Sequence, residues 1–141
     1  MTTHTGLTNT DQALTYVRQN MFATAHGGRS DAKDYLIVLT DGASANRNLT
    51  IQEAGLLKQQ NVNILAIGIG ASINEAELQG MASDKKHVFT VRSFDALKTV
   101  RTDIKAAACE GTYARTVFTS SAQCKRFVMA NGSSMQQNNS K

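Results

Sequence analysis

Oxygen-bearing side chains occur at two places where the sequence passes between apolar segments. Asp41 comes directly after the apolar run Tyr35–Leu39, and the triplet Thr8-Asn9-Thr10 lies just before an amphipathic segment. In open α/β sheets ligands gather at the carboxyl ends of strands, so Asp41 stands where a binding residue is expected. Hydroxyl, amide and carboxylate oxygens are the ligands that a hard cation such as Mg²⁺ prefers. The two loops together predict an oxygen-ligand site if the fold brings them to one edge of a sheet.

Both places also have an ordinary structural explanation. Asp-Gly is a common turn pair, and the Asp41 side chain could bond only to amides of its own turn. The Thr8-Asn9-Thr10 triplet could cap the helix that follows it. On position alone, turn formation is the more frequent use of an Asp-Gly pair. Both explanations stay open when only the residues are considered.

Two glycine-containing turns resemble enzyme motifs without completing them. Residues 42–46 read G-A-S-A-N, so Asn46 stands where the nucleophile elbow of a serine hydrolase has glycine. Residues 68–73 read G-I-G-A-S-I, and isoleucine replaces the third glycine of a dinucleotide-binding loop. An α/β enzyme using Asp41 would need a partner at the neighbouring strand ends, which offer Gly70 and Arg92. These motifs and strand ends therefore do not support an enzyme.

The hydrophobic pattern predicts the elements that would position these residues. Apolar runs predict strands at Tyr35–Leu39, Val62–Ile69 and His87–Val91, and the first two have the near-continuous apolar character of parallel strands covered on both faces. Helical spacing recurs at residues 13–25 and 94–108. The pairs Thr50 with Glu53 and Asn74 with Glu77 predict capping boxes at the starts of two further helices. The alternation indicates the later half of a doubly wound α/β sheet, with helices on both faces.

Length, charge and hydropathy exclude several classes of protein. A chain of 141 residues suits one domain. Most of its formal charge of +4 comes from residues 110–141, where no aromatic-and-basic motif for nucleic acid occurs. No apolar run approaches the roughly 20 residues of a membrane span, and the first residues lack the pattern of a secretory signal. Residues 132–141 are polar and are expected to be disordered.

These features resemble a von Willebrand factor type A domain, the family that includes integrin inserted domains, matrilins and collagen VI modules. The matching segments follow in the family's order; they read GLTNTDQAL at 6–14, GGR at 27–29, LIVLTDG at 36–42, ILAIGIG at 64–70, EL at 77–78 and ASD at 82–84. The T-N-T and T-D-G motifs at this separation are the most specific part. The resemblance implies a partial type A domain at residues 1–109, followed by a tail at 110–141.

The resemblance also implies a metal-ion-dependent adhesion site (MIDAS). In the family this site uses the Asp and two Ser of a D-x-S-x-S motif, a Thr and a second Asp. Thr8 corresponds to the Thr and Asp41 to the second Asp, whereas D-x-S-x-S does not occur in this sequence. The implied cation is Mg²⁺. Two ligands with water for the rest make a poor site, so weak or absent metal binding is expected.

In the family, the bound cation accepts an acidic side chain from a protein ligand. The resemblance therefore implies an extracellular adhesion module that binds collagen or another matrix protein, here truncated at its N-terminus. The family's strand order is 3-2-1-4-5-6, in which the strand Tyr35–Leu39 is the fourth and pairs with the first. Without that first strand, one side of Tyr35–Leu39 would be an open edge. The alternative function is a metal-independent interaction module that self-associates through this edge.

Overall fold

Helices and strands alternate along the part of the chain that a computed structural model describes, residues 8–26, 28, 32–109, 127–131 and 134–138. The elements are α1 Thr10–Tyr16, continued as a π-helix over Val17–Met21, β1 Asp34–Thr40, α2 Arg47–Gln59, β2 Val62–Ile69, α3 Glu75–Met81, β3 Val88–Val91, α4 Leu97–Cys109, β4 Phe127–Asn131 and β5 Ser134–Asn138. Short 3₁₀ turns lie at Thr24–His26 and Lys85–His87. No helix in these ranges is long and apolar enough to cross a membrane.

One mixed sheet contains the described strands in the order β3-β2-β1-β4-β5. β1 pairs in parallel with β2 and β4, β2 pairs in parallel with β3, and β5 is antiparallel to β4. The second strand has the predicted bounds, and the first extends by one residue at each end, to Asp34 and Thr40. The predicted α/β class with a mostly parallel, doubly wound sheet is confirmed.

Successive side chains of β1 and β2 pack into two buried clusters on opposite faces of the sheet. The cluster under α1, α2 and α3 contains Leu14, Val17, Leu36, Val38, Ala54, Leu57, Val62, Ile64, Ala66, Leu78, Met81 and Ala82. The cluster under α4 contains Ile37, Leu65, Ile67, Ile69, Val91 and Ala107. Because both faces of β1 and β2 are covered, both strands are apolar almost throughout and do not alternate.

β4 pairs with β1 on the side opposite β2, where the sequence predicts an open edge. Tyr35 is in register with Phe127, and Leu39 with Asn131. The sequence also predicts disorder at residues 132–141, whereas the structure describes an extended backbone at Ser134–Asn138 that pairs with β4; the rest of that range lies outside the described residues. Backbone ladder hydrogen bonds require no buried side chains, so polar residues can join a sheet without a hydrophobic pattern. In this structure β1 therefore has neighbours on both sides.

The start of α2 differs from the predicted capping box. Asn46 is the N-cap, and its side-chain oxygen accepts a hydrogen bond from the Leu49 N–H at 3.2 Å. Thr50 lies within the first turn, where its hydroxyl donates to the Asn46 carbonyl oxygen at 2.9 Å. Glu53 does not reach back to the cap. It forms an ion pair with Arg18 at 2.8 Å, which ties the π-helical continuation of α1 to α2.

α3 begins at its predicted cap and is fixed to α2 at its other end. The Asn74 side chain accepts a hydrogen bond from the Glu77 N–H at 3.1 Å, as the capping pattern predicts. At the C-terminus of α3, the Lys58 ammonium donates to the carbonyl oxygens of Gly80 and Ala82 at 2.9 and 3.3 Å. Burial lowers the pKa of Lys58. The ammonium thus satisfies carbonyl groups that have no partner within the helix.

Candidate functional site

Asp41 lies in a turn that is held together by the side chain of Thr40. The Thr40 hydroxyl donates to the Gly42 carbonyl oxygen at 2.7 Å and accepts from the Gly42 N–H at 3.3 Å. Asp41 is exposed, and its carboxylate makes no hydrogen bond or ion pair with any residue that the structure describes. The turn therefore forms without the Asp41 side chain, whose oxygens remain available to a ligand.

The backbone of Thr8 is hydrogen-bonded to the loop that follows Asp41. The Ala45 N–H donates to the Thr8 carbonyl oxygen at 2.9 Å. Asn9 is the N-cap of α1 but makes no side-chain cap hydrogen bond, and the Thr8 hydroxyl has no partner within the described ranges. The fold thus brings together the two loops that carry the predicted site residues. Side-chain capping of α1 accounts for neither the Thr8 hydroxyl nor the Asn9 amide.

A buried carboxylate from α3 holds the other side of the Asp41 loop. Both carboxylate oxygens of Glu77 lie 3.2 Å from the Ser44 nitrogen, which donates its hydrogen to them. Only 3% of the Glu77 surface is exposed. The capping pattern predicted a local bond for Glu77, whereas its carboxylate reaches a loop 33 residues away in sequence.

Ser44 adds an oxygen that the sequence pattern did not indicate as a ligand. Its hydroxyl oxygen is buried and has no hydrogen-bond partner among the described residues. A buried polar atom without a partner costs free energy unless water or a ligand satisfies it. The only signal in the sequence was the position of Ser44 in the G-A-S-A-N turn. Asn46, which interrupts the elbow motif there, has a structural role as the cap of α2.

The ends of the neighbouring strands offer no second carboxylate. Gly70 follows β2 and Arg92 follows β3. In residues 8–109 as far as they are described, and in β4 and β5, no group of three or more His, Cys, Asp or Glu side chains is arranged to hold a metal ion. Around β1 the candidate donors are instead the Asp41 carboxylate and the hydroxyls of Thr8 and Ser44. This all-oxygen set suits a hard cation.

The fold and these loops belong to a known class of domain. A family model described as the von Willebrand factor type A domain matches residues 1–103. The chain is therefore a member of the von Willebrand factor type A family, as the sequence motifs predicted.

Relatives within this family include chains of matrix and integrin proteins. The chain is 36% identical to the human (Homo sapiens) collagen alpha-5(VI) chain over 105 residues, 74% of this chain and 4% of that protein. It is 35% identical to mouse (Mus musculus) integrin alpha-X over 116 residues, 76% of this chain and 10% of that protein. A solved structure of proximal thread matrix protein 1 from the mussel byssus, with a zinc-occupied MIDAS motif, matches at 35% identity with a TM-score of 0.71, covering 77% of this chain and 28% of that chain. The chain thus spans only a small part of the length of each of these proteins.

Proposed function

We propose that this chain is a ligand-binding module of an extracellular adhesive or matrix protein and not an enzyme, and that a divalent cation at the carboxyl end of β1 mediates binding. One observation carries the proposal. The side-chain oxygens of Thr8, Asp41 and Ser44 make no hydrogen bonds with described residues, although their loops are joined to each other and to α3. Other groups form the turn and the helix cap in these loops, so these three side chains are left for a ligand.

The donor set fits Mg²⁺, which is the ion that we propose. Mg²⁺ is commonly bound through one or two carboxylates and keeps several waters. Asp41 supplies the charge and Thr8 and Ser44 supply neutral oxygens, and the buried, unpaired Ser44 hydroxyl is the kind of atom that a bound ion or its water would satisfy. With one carboxylate, we expect a dissociation constant on the order of millimolar, because ligand charge sets affinity. A bound Mg²⁺ would supply an open coordination position for an acidic side chain of the ligand.

The roles of the residues follow from their loops. Asp41 holds the cation, and Thr8 contacts it when a ligand is bound, as the family resemblance implies. Glu77 binds no cation in this proposal, because its carboxylate oxygens are engaged with the Ser44 N–H. It keeps the Asp41 loop in place. We assign residues 1–109 to a partial type A domain and 110–141 to the tail.

The relatives support the same class of partner. One is a collagen chain, one is an integrin subunit and one is a matrix protein whose structure has a zinc-occupied MIDAS motif. We therefore propose a protein ligand, collagen or another matrix protein, that presents a carboxylate. The whole relatives are far longer than this chain, and only the domain that they share with it supports this proposal.

The test is retention of the purified chain on immobilised fibrillar collagen in Mg²⁺ and in EDTA. We expect retention in Mg²⁺ that is lost in EDTA and in the Asp41→Ala variant. Asp103→Ala, which removes an exposed carboxylate of α4, is the matched control and should bind as the wild type does. Equal retention in EDTA, or by Asp41→Ala, would show that adhesion does not use the cation. Failure to bind collagen in either condition would rule it out as the partner.

A further inference from the structure

The Glu77 carboxylate is buried beside the loop that carries two of the proposed cation donors. Only 3% of the Glu77 surface is exposed, and a single N–H, that of Ser44, donates to both of its carboxylate oxygens at 3.2 Å. No ion pair joins Glu77 to a cationic side chain of the described residues. Burying a carboxylate charge is costly unless an opposite charge lies nearby. Within the described part of the chain, this carboxylate therefore lacks a compensating charge.

A second uncompensated polar atom lies on the residue that Glu77 holds. The Ser44 hydroxyl oxygen is buried and has no hydrogen-bond partner among the described residues. The next N–H along the chain, that of Ala45, donates to the Thr8 carbonyl oxygen. A Mg²⁺ ion bound to the Ser44 hydroxyl, at about 2.1 Å, would lie close to the Glu77 carboxylate, because that carboxylate contacts the nitrogen of the same residue.

We propose that Glu77 is a positioning residue of the cation site, which raises cation affinity by its negative charge without contacting the ion. This inference rests on the proposed function. Asp41 is the one carboxylate among the proposed donors, and the number of charges around a cation sets its affinity. The attraction of a buried charge is screened much less than that of an exposed one. A bound cation would therefore compensate two carboxylates, Asp41 and Glu77.

Two substitutions in α3 separate this electrostatic role from a structural one. Glu77→Gln removes the charge but keeps an oxygen that can accept from the Ser44 N–H. Glu75→Gln removes the same charge from the same first turn of α3, where the side chain is exposed and bonds to none of the described residues. If the buried charge matters, only the substitution at Glu77 should change cation binding.

The experiment measures Mn²⁺ binding to the full chain by electron paramagnetic resonance of the free ion, in wild type, Asp41→Ala, Glu77→Gln and Glu75→Gln. We expect Glu77→Gln to weaken binding by about tenfold or more, since substitutions beside metal ligands typically cost that much. Glu75→Gln should bind as the wild type does. Hydrogen exchange of the Ser44 amide should stay slow in Glu77→Gln. Mn²⁺ should raise the unfolding temperature of the wild type more than that of Glu77→Gln.

The overturning results are distinguishable from one another. Wild-type affinity in Glu77→Gln, with binding lost in Asp41→Ala, would refute the inference and leave the proposed function intact. Equal losses in Glu77→Gln and Glu75→Gln would show an effect of net charge alone. Weaker binding together with fast exchange at Ser44 in Glu77→Gln would assign the effect to the hydrogen bond and not to the charge. No Mn²⁺ binding by the wild type would refute this inference and the proposed cation site together.

A second variant covers the case in which Glu77→Gln does not fold by circular dichroism. Glu77→Asp keeps the charge on a side chain that is one methylene shorter, and we expect it to bind Mn²⁺ nearly as the wild type does. A tenfold loss of affinity in folded Glu77→Asp would show that the reach of the side chain, and not its charge, sets the affinity. That result would also overturn the inference.

Discussion

The carboxyl ends of β1 and β2 lie side by side but are built differently. After β1, the loop that follows Asp41 is joined to Thr8 by a backbone hydrogen bond and to Glu77 by a buried carboxylate. After β2, Gly70 turns the chain with φ of 92°, and its N–H donates to the Val91 carbonyl oxygen at 2.8 Å. One strand end has free side-chain oxygens on a loop held from two sides, whereas the other uses backbone geometry alone. Both strands end at the same edge of the sheet, and Asp41 and Ser44, two donors of the cation site that we propose, follow β1.

Removing the buried Glu77 carboxylate, which holds the loop after β1, should have the largest effect of the substitutions described here. We expect Glu77→Leu to lower the free energy of unfolding by about 1–3 kcal/mol, because the part-buried Ser44 N–H loses its acceptor. Urea denaturation measures the loss, and hydrogen exchange should show faster exchange of the Ser44 amide. Glu77→Gln keeps an acceptor of the same shape and is the matched control. If the Ser44 amide of Glu77→Leu exchanges as slowly as that of the wild type, the carboxylate does not hold the loop.

Alanine substitutions of Gly42 and Gly70 should have the next largest effect, and they compare the turn after β1 with the turn after β2. A methyl group added at Gly42 or at Gly70 would meet no atom of the described residues within 4 Å, but only Gly70 has a positive φ. Gly70→Ala should cost about 1–2 kcal/mol, which is the strain of a left-handed conformation in a non-glycine residue. Gly42→Ala should be neutral or slightly stabilising, since it only reduces the freedom of the unfolded chain. Thermal unfolding of both variants compares them, and equal costs would contradict the assigned turn geometries.

Substitution of Asn46, the N-cap of α2, tests where the loop after β1 ends and the helix begins. Asn46→Ala should destabilise the fold by about 1 kcal/mol, because the Leu49 N–H loses its side-chain acceptor. Asn48→Ala changes the same residue type two positions later, where no cap bond is made, and should leave stability nearly unchanged. Chemical denaturation of the two variants measures the difference. A larger loss for Asn48→Ala would place the start of the helix elsewhere.

β1 and β2 were predictable because these strands are defined by burial. Val62–Ile69 is a nearly continuous apolar run, and its bounds in the structure are those of the run. Asp41 and Thr8 could be selected from the types and order of residues in their loops. That those loops meet depends on the docking of α1, and the Ala45 hydrogen bond that shows it involves only backbone atoms. No side-chain pattern marks such a bond.

The rest of the site depends on contacts between distant parts of the chain. The Asn74-x-x-Glu77 pattern predicts a local capping box, but the carboxylate of Glu77 is better placed to bind Ser44 in the neighbouring loop. β4 pairs with β1, and β5 with β4, through backbone register. Polar residues in Ser134–Asn138 carry no hydrophobic alternation that could reveal a strand. These elements could be found only from the assembled sheet.

The most direct test of the central claim is a Mg²⁺ titration followed by amide NMR of the wild type and Asp41→Ala. We expect saturable shifts of the amides of residues 41–46 in the wild type, with a midpoint on the order of millimolar Mg²⁺. We expect no such shifts in Asp41→Ala, together with an unchanged unfolding temperature, because the Asp41 carboxylate bonds to no described residue. Absence of saturable shifts in the wild type, or the same shifts in Asp41→Ala, would contradict a cation site at the carboxyl end of β1.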